Sequence, residues 1–472
     1  MPPARTVRHG GSITLELIIA FAVASLVLTS VILLVGSSDA LAFERESAER
    51  AIARELVDDA VASSTDVAMR GSAASSSVED GIPYSALLMA DSLTPCVLQL
   101  TGVASSTGGV GDGSAVAEQF ADVELARALG GDCDYAPLST AWAKFTQQSS
   151  TELPGTALDA LGAYLYIGLS QPPYVAVVKD GSRISFANSF TLPEAPNALD
   201  AALVNGEPYV FAAMASSTGQ FEIIDGRDPT NPTTVAALPL AGVDPAGSDP
   251  AAYHVAYYDG RAYVVTRYIA GLQPELHIFD VRDPQHAYEM GAASLETTVR
   301  GMALRTRLVR GQPRTYLYAA TTYDTRELAV YDVTDPAHVT LAFSVDLPGS
   351  QDGDSIAIQG SRLYLGRASN TAGPELYVFD IRDPAQAPLL IGTAEVASKD
   401  ITALAAAGSV LFVGATNDGA SNRMLQAWDI HDPASPMLLA SLRVSGLVLG
   451  GVEYQSGNVF ALDASSLHIY EN

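Results

Sequence analysis

Five times along this chain an apolar run ends in Asp, two further residues and Asp-Pro: Phe221–Pro229, Leu276–Pro284, Leu328–Pro336, Leu376–Pro384 and Leu425–Pro433. The first Asp of each copy stands at 225, 280, 332, 380 and 429, in steps of 55, 52, 48 and 49 residues. A unit of that length built only of β-type segments cannot bury its apolar faces alone. Arranged round an axis, units of about four strands each make a β-propeller.

Each part of the unit has a mechanical role. Alternating branched and aromatic residues suit a strand buried on one or both faces. Proline fixes φ near −65° and keeps the preceding Asp out of the helical region. An Asp side chain can also accept a backbone N–H of its own turn. Asp225, Asp228, Asp280, Asp283, Asp332, Asp335, Asp380, Asp383, Asp429 and Asp432 are therefore read as structural turn residues, not as catalytic or metal-binding acids.

A second strand recurs earlier in each unit, beginning at Tyr164, Tyr209, Tyr263, Tyr316, Leu363, Leu411 and Val459. The Asp-Pro strand has degenerate first and last versions at Tyr174–Val178 and Leu467–Tyr470. Outer strands follow only six of the seven sets, for example Val235–Leu240 and Met437–Val444. A ring with an open edge invites aggregation. The spacing predicts seven blades, with six or eight as the alternatives, closed by strand exchange between the two ends of the array, with Thr140–Thr146 as the nearest candidate for the missing strand. The repeat resembles the LVIVD family of propeller repeats of bacterial and archaeal surface proteins. The resemblance covers roughly 157–472 and implies a fold without catalytic residues.

The N-terminus carries a different signal. A short basic leader and Gly10-Gly11-Ser12 precede Glu16, and Leu17–Val35 runs nineteen residues without a charge. A helix of that length spans roughly 28 Å, close to the hydrocarbon core of a bilayer. An ionised carboxylate at the edge of such a helix costs up to about 2.5–3.5 kcal/mol unless it finds a partner. Phe43–Ala62 continues with strong helix formers and neither Gly nor Pro. A single helix from 12 to 62 would be about 75 Å long.

This arrangement resembles the prepilin signal and N-terminal methylation motif of type IV pilins and pseudopilins. The resemblance implies cleavage between Gly11 and Ser12 by a prepilin peptidase. Glu16, fifth in the mature chain, would then pair with the freed α-amine of a neighbouring subunit during filament assembly. Ser12 departs from the usual Phe. An ordinary secretory signal would place its cleavage site after the apolar run, where Ala40-Leu41-Ala42 stands.

Residues 63–155 read as a linker or small head region. Ser/Thr/Gly clusters imply loops, and Ala115–Leu129, ended by Gly130-Gly131, reads as a helix. The two cysteines, Cys96 and Cys133, would lie outside the membrane, where a disulfide persists. It would close a loop of about 37 residues, contributing about 3–4 kcal/mol.

Composition narrows function mainly by exclusion. A net charge of −27 is unsuited to phosphate backbones, so nucleic acid is excluded as a partner. The chain has no phosphate-binding Gly-rich loop, no zinc-protease helix, no nucleophile elbow and no sialidase Ser-x-Asp-x-Gly box. Asp352-Gly353-Asp354 lacks the later Glu of a calcium loop. No cofactor, metal or catalytic residue is expected.

The expected architecture is mainly β: leader 1–11, pilin-like transmembrane or filament helix 12–62, linker or small head 63–155 and β-propeller 156–472. Function is read as a minor pilin or pilin-like protein whose head mediates adhesion or partner binding. Its expected partners are the peptidase, other pilin subunits and an unknown surface ligand. It would pass from the cytoplasmic membrane to the cell surface. The alternatives are a membrane-tethered hydrolase or lyase, and an anchored scaffold without a filament.

Overall fold

The computed structural model describes 72–79, 82–94, 97–106, 115–121 and most of 141–472. Gly11, Ser12, Glu16, Cys96 and Cys133, and with them the predicted helix 12–62, lie outside the described residues. No helix among the described residues is long and apolar enough to cross a membrane. The chain divides into two units, Met1–Cys133 and Asp134–Asn472.

The first unit holds one antiparallel meander: β1 (Ser72–Glu79), β2 (Ile82–Thr94), β3 (Val97–Ser106) and β4 (Ala115–Ala121). Over Ala115–Ala121 the helix predicted for Ala115–Leu129 is thus corrected to a strand, paired along its length with β3, while 122–129 lie outside the described residues. Helix propensity is a weak prior, and cross-strand pairing overrides it.

The second unit is a ring of seven four-stranded antiparallel sheets. It opens with a 3₁₀ turn, Ala141–Lys144, and β5 (Thr146–Glu152). Blade 1 is β6 (Gly155–Leu161), β7 (Tyr164–Leu169), β8 (Tyr174–Lys179) and β9 (Ser185–Thr191). Blade 2 is β10 (Pro196–Val204), β11 (Glu207–Met214), β12 (Phe221–Asp225) and β13 (Thr233–Leu238). Blade 3 is β14 (Ala252–Tyr258), β15 (Arg261–Thr266), β16 (Leu276–Asp280) and β17 (Tyr288–Ala293). Blade 4 is β18 (Val299–Val309), β19 (Gln312–Thr321), β20 (Leu328–Asp332) and β21 (Thr340–Val345). Blade 5 is β22 (Gly353–Gln359), β23 (Arg362–Arg367), β24 (Leu376–Asp380) and β25 (Leu389–Ala394). Blade 6 is β26 (Ile401–Ala407), β27 (Val410–Ala415), β28 (Arg423–Asp429) and β29 (Met437–Arg443). Blade 7 is β30 (Leu449–Gln455), β31 (Asn458–Asp463) and β32 (Ser466–Glu471), completed by β5.

The first strands of the blades lie side by side in a closed ring, β6 on β10 and so on until β30 returns to β6. Middle strands are buried almost throughout. They pack blade on blade into apolar layers such as the one joining Phe211, Phe221, Val264 and Phe279. The hairpins between first and second strands take tight turns, as at Asn205–Gly206 and Asp259–Gly260, where both residues have positive φ. That pair of conformations is the twist-matched two-residue hairpin turn, which favours Asn or Asp followed by Gly.

Closure by strand exchange is present, but the closing strand is β5, not Thr140–Thr146. Trp142 and Phe145 drew the sequence reading one element too early. They belong to the core, while Thr146–Glu152 is mostly exposed and holds its place by pairing with β32. The ring therefore begins before 156, inside the segment read as linker. β5 keeps the register of the chain-continuous outer strands: the bulge falls two pairs before the end of the third strand in blade 7 as it does in blades 1 to 6.

Candidate functional site in the central channel

The ten turn aspartates sit where each third strand turns into the outer strand. Asp225, Asp280, Asp332, Asp380 and Asp429 each accept the N–H two residues on, at 2.8–3.0 Å. Asp228, Asp283, Asp335, Asp383 and Asp432 do the same, at 2.9–3.3 Å. Asp225 and Asp280 also grip Arg227 and Arg282, whose side chains hold both carboxyls below the usual range. The residue after the first Asp is equally regular: Val281, Val333, Ile381 and Ile430 donate their N–H to carbonyls of the hairpin formed by the first and second strands, at 2.9 Å.

The Pro of the motif has a second role that the sequence reading missed. A Cβ on Gly291 of β17 would strike the carbonyl oxygen of Pro336, and one on Gly392 of β25 would strike that of Pro433. Each Asp-Pro turn thus seats on the outer strand of the preceding blade. Blade 7 has no such turn, because its outer strand is not continuous with β32. There the 3₁₀ turn Ala141–Lys144 packs on β29 instead. It places Trp142 against Phe412 at 4.7 Å, Phe145 at 5.5 Å and Tyr454 at 6.1 Å.

A further repeated residue also escaped the sequence reading. Gln220, Glu275, Glu327 and Glu375 stand directly before the third strand and are fully buried. Their side chains accept the backbone N–H of Leu240, Leu295, Leu347 and Val396 at 2.7–3.2 Å. Each one pins the connection to the next blade. The signal was a polar residue joined to the apolar run in four consecutive copies.

The channel is lined by the seven first strands, each bulged at its second position. At this mouth the bulged residues latch one blade to the next. Thr156 donates to the carbonyl of Pro196 at 2.6 Å, Asn197 to that of Ala252 at 2.7 Å, and Thr402 to that of Leu449. Arg300 reaches Asp354 at 2.8 Å and Asp352 at 2.9 Å, which gives the acidic Asp352–Asp354 pair its role. Burial nevertheless pushes Asp354 up to about 6, outweighing the guanidinium.

Three residues deeper, roughly 10 Å along a strand, the seven blades carry Asp159, Asp200, Ala256, Ala303, Ala357, Ala405 and Glu453. Each stands opposite a buried aromatic of the second strand: Tyr166, Phe211, Tyr263, Tyr318, Tyr364, Phe412 and Phe460. The three acids occupy adjacent blades, 7, 1 and 2. Each is partly buried on the channel face of its strand. Asp159 accepts the N–H of Ala201, and Asp200 accepts that of Tyr257.

Burial pushes Glu453 up to about 8, with the charge of Asp200 adding to it, and pushes Asp200 up to about 6. Asp159 is raised by burial first and then by both neighbouring acids. His254, also on a channel strand, is lowered by burial to about 4 and stays neutral. No group of three or more metal-ligating side chains converges among the described residues.

No protein family and no curated protein matches the chain. Among solved structures it is similar to the β-propeller domain of Myceliophteria thermophila Cps50 (Swd1). The two are 12% identical over 70% of this chain and 100% of that one, with a TM-score of 0.48. The computationally designed Ika8 protein is 11% identical over 69% and 98%, with a TM-score of 0.45. The WD40 propeller of Doa1 is 8% identical over 70% and 97%, with a TM-score of 0.44. The seven-bladed ring itself rests on the sheet order of this chain. The fold by itself names no chemistry.

Proposed function

We propose that this is a pilin-like, surface-displayed protein whose propeller is a recognition head for a surface ligand or protein. The observation that carries the reading is Gly11-Ser12 and Glu16 set directly before the uncharged run Leu17–Val35. Prepilin peptidase and other pilin subunits are the partners this signal implies. A head of some three hundred residues suits a minor subunit at a tip better than a densely packed shaft.

The recognition face would be the one carrying the bulged mouth and the loops between second and third strands. There Tyr268 and Tyr323 are exposed on blades 3 and 4, and Arg326 stacks on the Tyr323 ring at 4.0 Å. Rigid aromatics and arginines are the side chains that dominate protein recognition. The test is Glu16→Ala. It should leave membrane insertion intact and abolish filament incorporation, with wild-type protein beginning at Ser12. Normal incorporation of the variant overturns the pilin reading, and a mature chain beginning after Ala42 replaces it with a secretory signal.

A second reading, a membrane-tethered hydrolase or lyase, has one observation behind it: three carboxyls and His254 in one channel. Against it, Asp159 and Asp200 already hold backbone N–H groups of the next blade. Their first role is to join blades.

A further inference from the structure

The three channel acids are not spread round the ring. They stand at one level on β30, β6 and β10, and the other four blades carry alanine there. Blade 7, where β30 stands, is the one blade completed by a strand not continuous with its neighbour. Two of the acids reach the next blade. Asp159 bonds Ala201 of blade 2, and Asp200 bonds Tyr257 of blade 3. Glu453 shares its strand face with Gly451, which abuts Leu158 of blade 1, and with Gln455, which bonds the carbonyl of Gly162. Two carboxyls therefore sit across the 1/2 and 2/3 interfaces, and Glu453 stands at the same level on β30, whose residues Gly451 and Gln455 meet blade 1. Asp159 and Asp200 thus stand at one level on neighbouring strands, where two like charges disfavour each other's ionised form.

We propose that closure of the ring at this seam is proton-controlled: the three carboxyls at one level are relieved of mutual repulsion when protonated in mild acid, and their ionisation loosens the interfaces of blades 7, 1 and 2 at alkaline pH. The electrostatic surroundings offer little relief. The charges acting on Asp159 are those of Asp200 and Glu453, and the charge acting on Glu453 is that of Asp200. On the paired second strands the trio faces Tyr166, Phe211 and Phe460. β14 contributes His254 and Tyr257, and β30 also carries Tyr454. Across the channel β18 carries Arg300, Arg305 and Arg307, and β22 carries Asp354; β26 carries no charge. Arg300 is engaged by Asp352 and Asp354 at the mouth.

The sign follows from the direction of the shifts. A carboxyl whose pKa is raised in the fold contributes stability that is complete below its unfolded value and lost as pH rises through the folded one. For this trio the loss runs from about pH 4 to about pH 8. His254 acts oppositely, since its lowered pKa costs stability as pH falls from about 6.5 to about 4. Maximum closure is then expected in mild acid, above the range in which His254 becomes charged.

The experiment is urea unfolding of the full chain at pH 5.5, 7 and 8.5, for the wild type, Glu453→Gln, Asp200→Asn and the exposed control Glu207→Gln. Wild type and control should lose folding equilibrium constant between pH 5.5 and 8.5. Glu453→Gln should recover about tenfold or more of that loss, the equivalent of about one pKa unit. Asp200→Asn should recover its share in the lower half of the range. A Glu453→Gln profile parallel to wild type overturns the proposal.

Amide exchange of wild-type protein, corrected for intrinsic rates, gives a reading that needs no variant. Peptides covering β5, β6 and β30 should lose protection between pH 6 and 8.5, while those covering β18 and β22 keep theirs. A uniform response round the ring overturns the proposal as well.

Discussion

Replacing Trp142 with alanine tests whether the 3₁₀ turn before β5 does for blade 7 what the Asp-Pro turns do elsewhere. Trp142 is fully buried and touches three aromatic rings, two on the second and first strands of blades 6 and 7 and one its own neighbour Phe145. Truncating a buried Trp costs about 3–5 kcal/mol. The aromatic contacts place it at the upper end, at about 0.5–1.5 kcal/mol each beyond burial. One effect opposes this. The indole N–H is buried with no hydrogen-bond partner, a burden of about 1–3 kcal/mol that the substitution lifts. The expected net loss is about 3 kcal/mol. Urea unfolding of the full chain, followed by the fluorescence of Trp428, the other tryptophan, would report it. Trp142→Phe keeps most of the ring packing and sheds the orphan donor, so it should stay within about 1 kcal/mol of wild type. A Trp142→Ala variant as stable as wild type would refute the idea that this turn closes the ring.

Two further substitutions address the joints between blades. Gly392→Ala should destabilise by about 1–3 kcal/mol, because its Cβ meets the backbone of the Pro433 turn, which cannot swing aside like a side chain; the urea midpoint measures it. Glu375→Ala should cost about 1–3 kcal/mol by orphaning the N–H of Val396, whereas Glu375→Gln keeps an acceptor and should cost less than half as much in the same assay.

The sequence made legible whatever is repeated with an unusual residue at a fixed place. Asp-x-x-Asp-Pro located the third strands, and the tyrosines and leucines that start the second strands located those, so seven blades could be counted. The innermost strands were not legible. Stretches such as Ile401–Ala407 or Gly155–Leu161 are short and Ala-rich, and the channel asks of them only small size and backbone pairing. The closing strand was missed for a related reason: Thr146–Glu152 earns its place by register, which leaves no mark in hydropathy. The candidate site was the least visible part. Asp159, Asp200 and Glu453 lie 41 and 253 residues apart in sequence. Only ring closure makes the last a neighbour of the first.

That closure also fixes the order in which the ring can be finished during synthesis. β5 is among the first propeller segments made, but its only strand partner, β32, is among the last. Blades 1 to 6 can each complete their own hairpins as they emerge, through contacts that are local in sequence. β5, polar and largely exposed even when folded, has to wait unpaired through about three hundred residues of translation. Pairing β5 with β32 therefore closes a long loop, the kind of contact whose closure entropy slows folding. A polar strand is well suited to that wait, because an apolar one left without a partner for so long would be the chain's main route to misassembly.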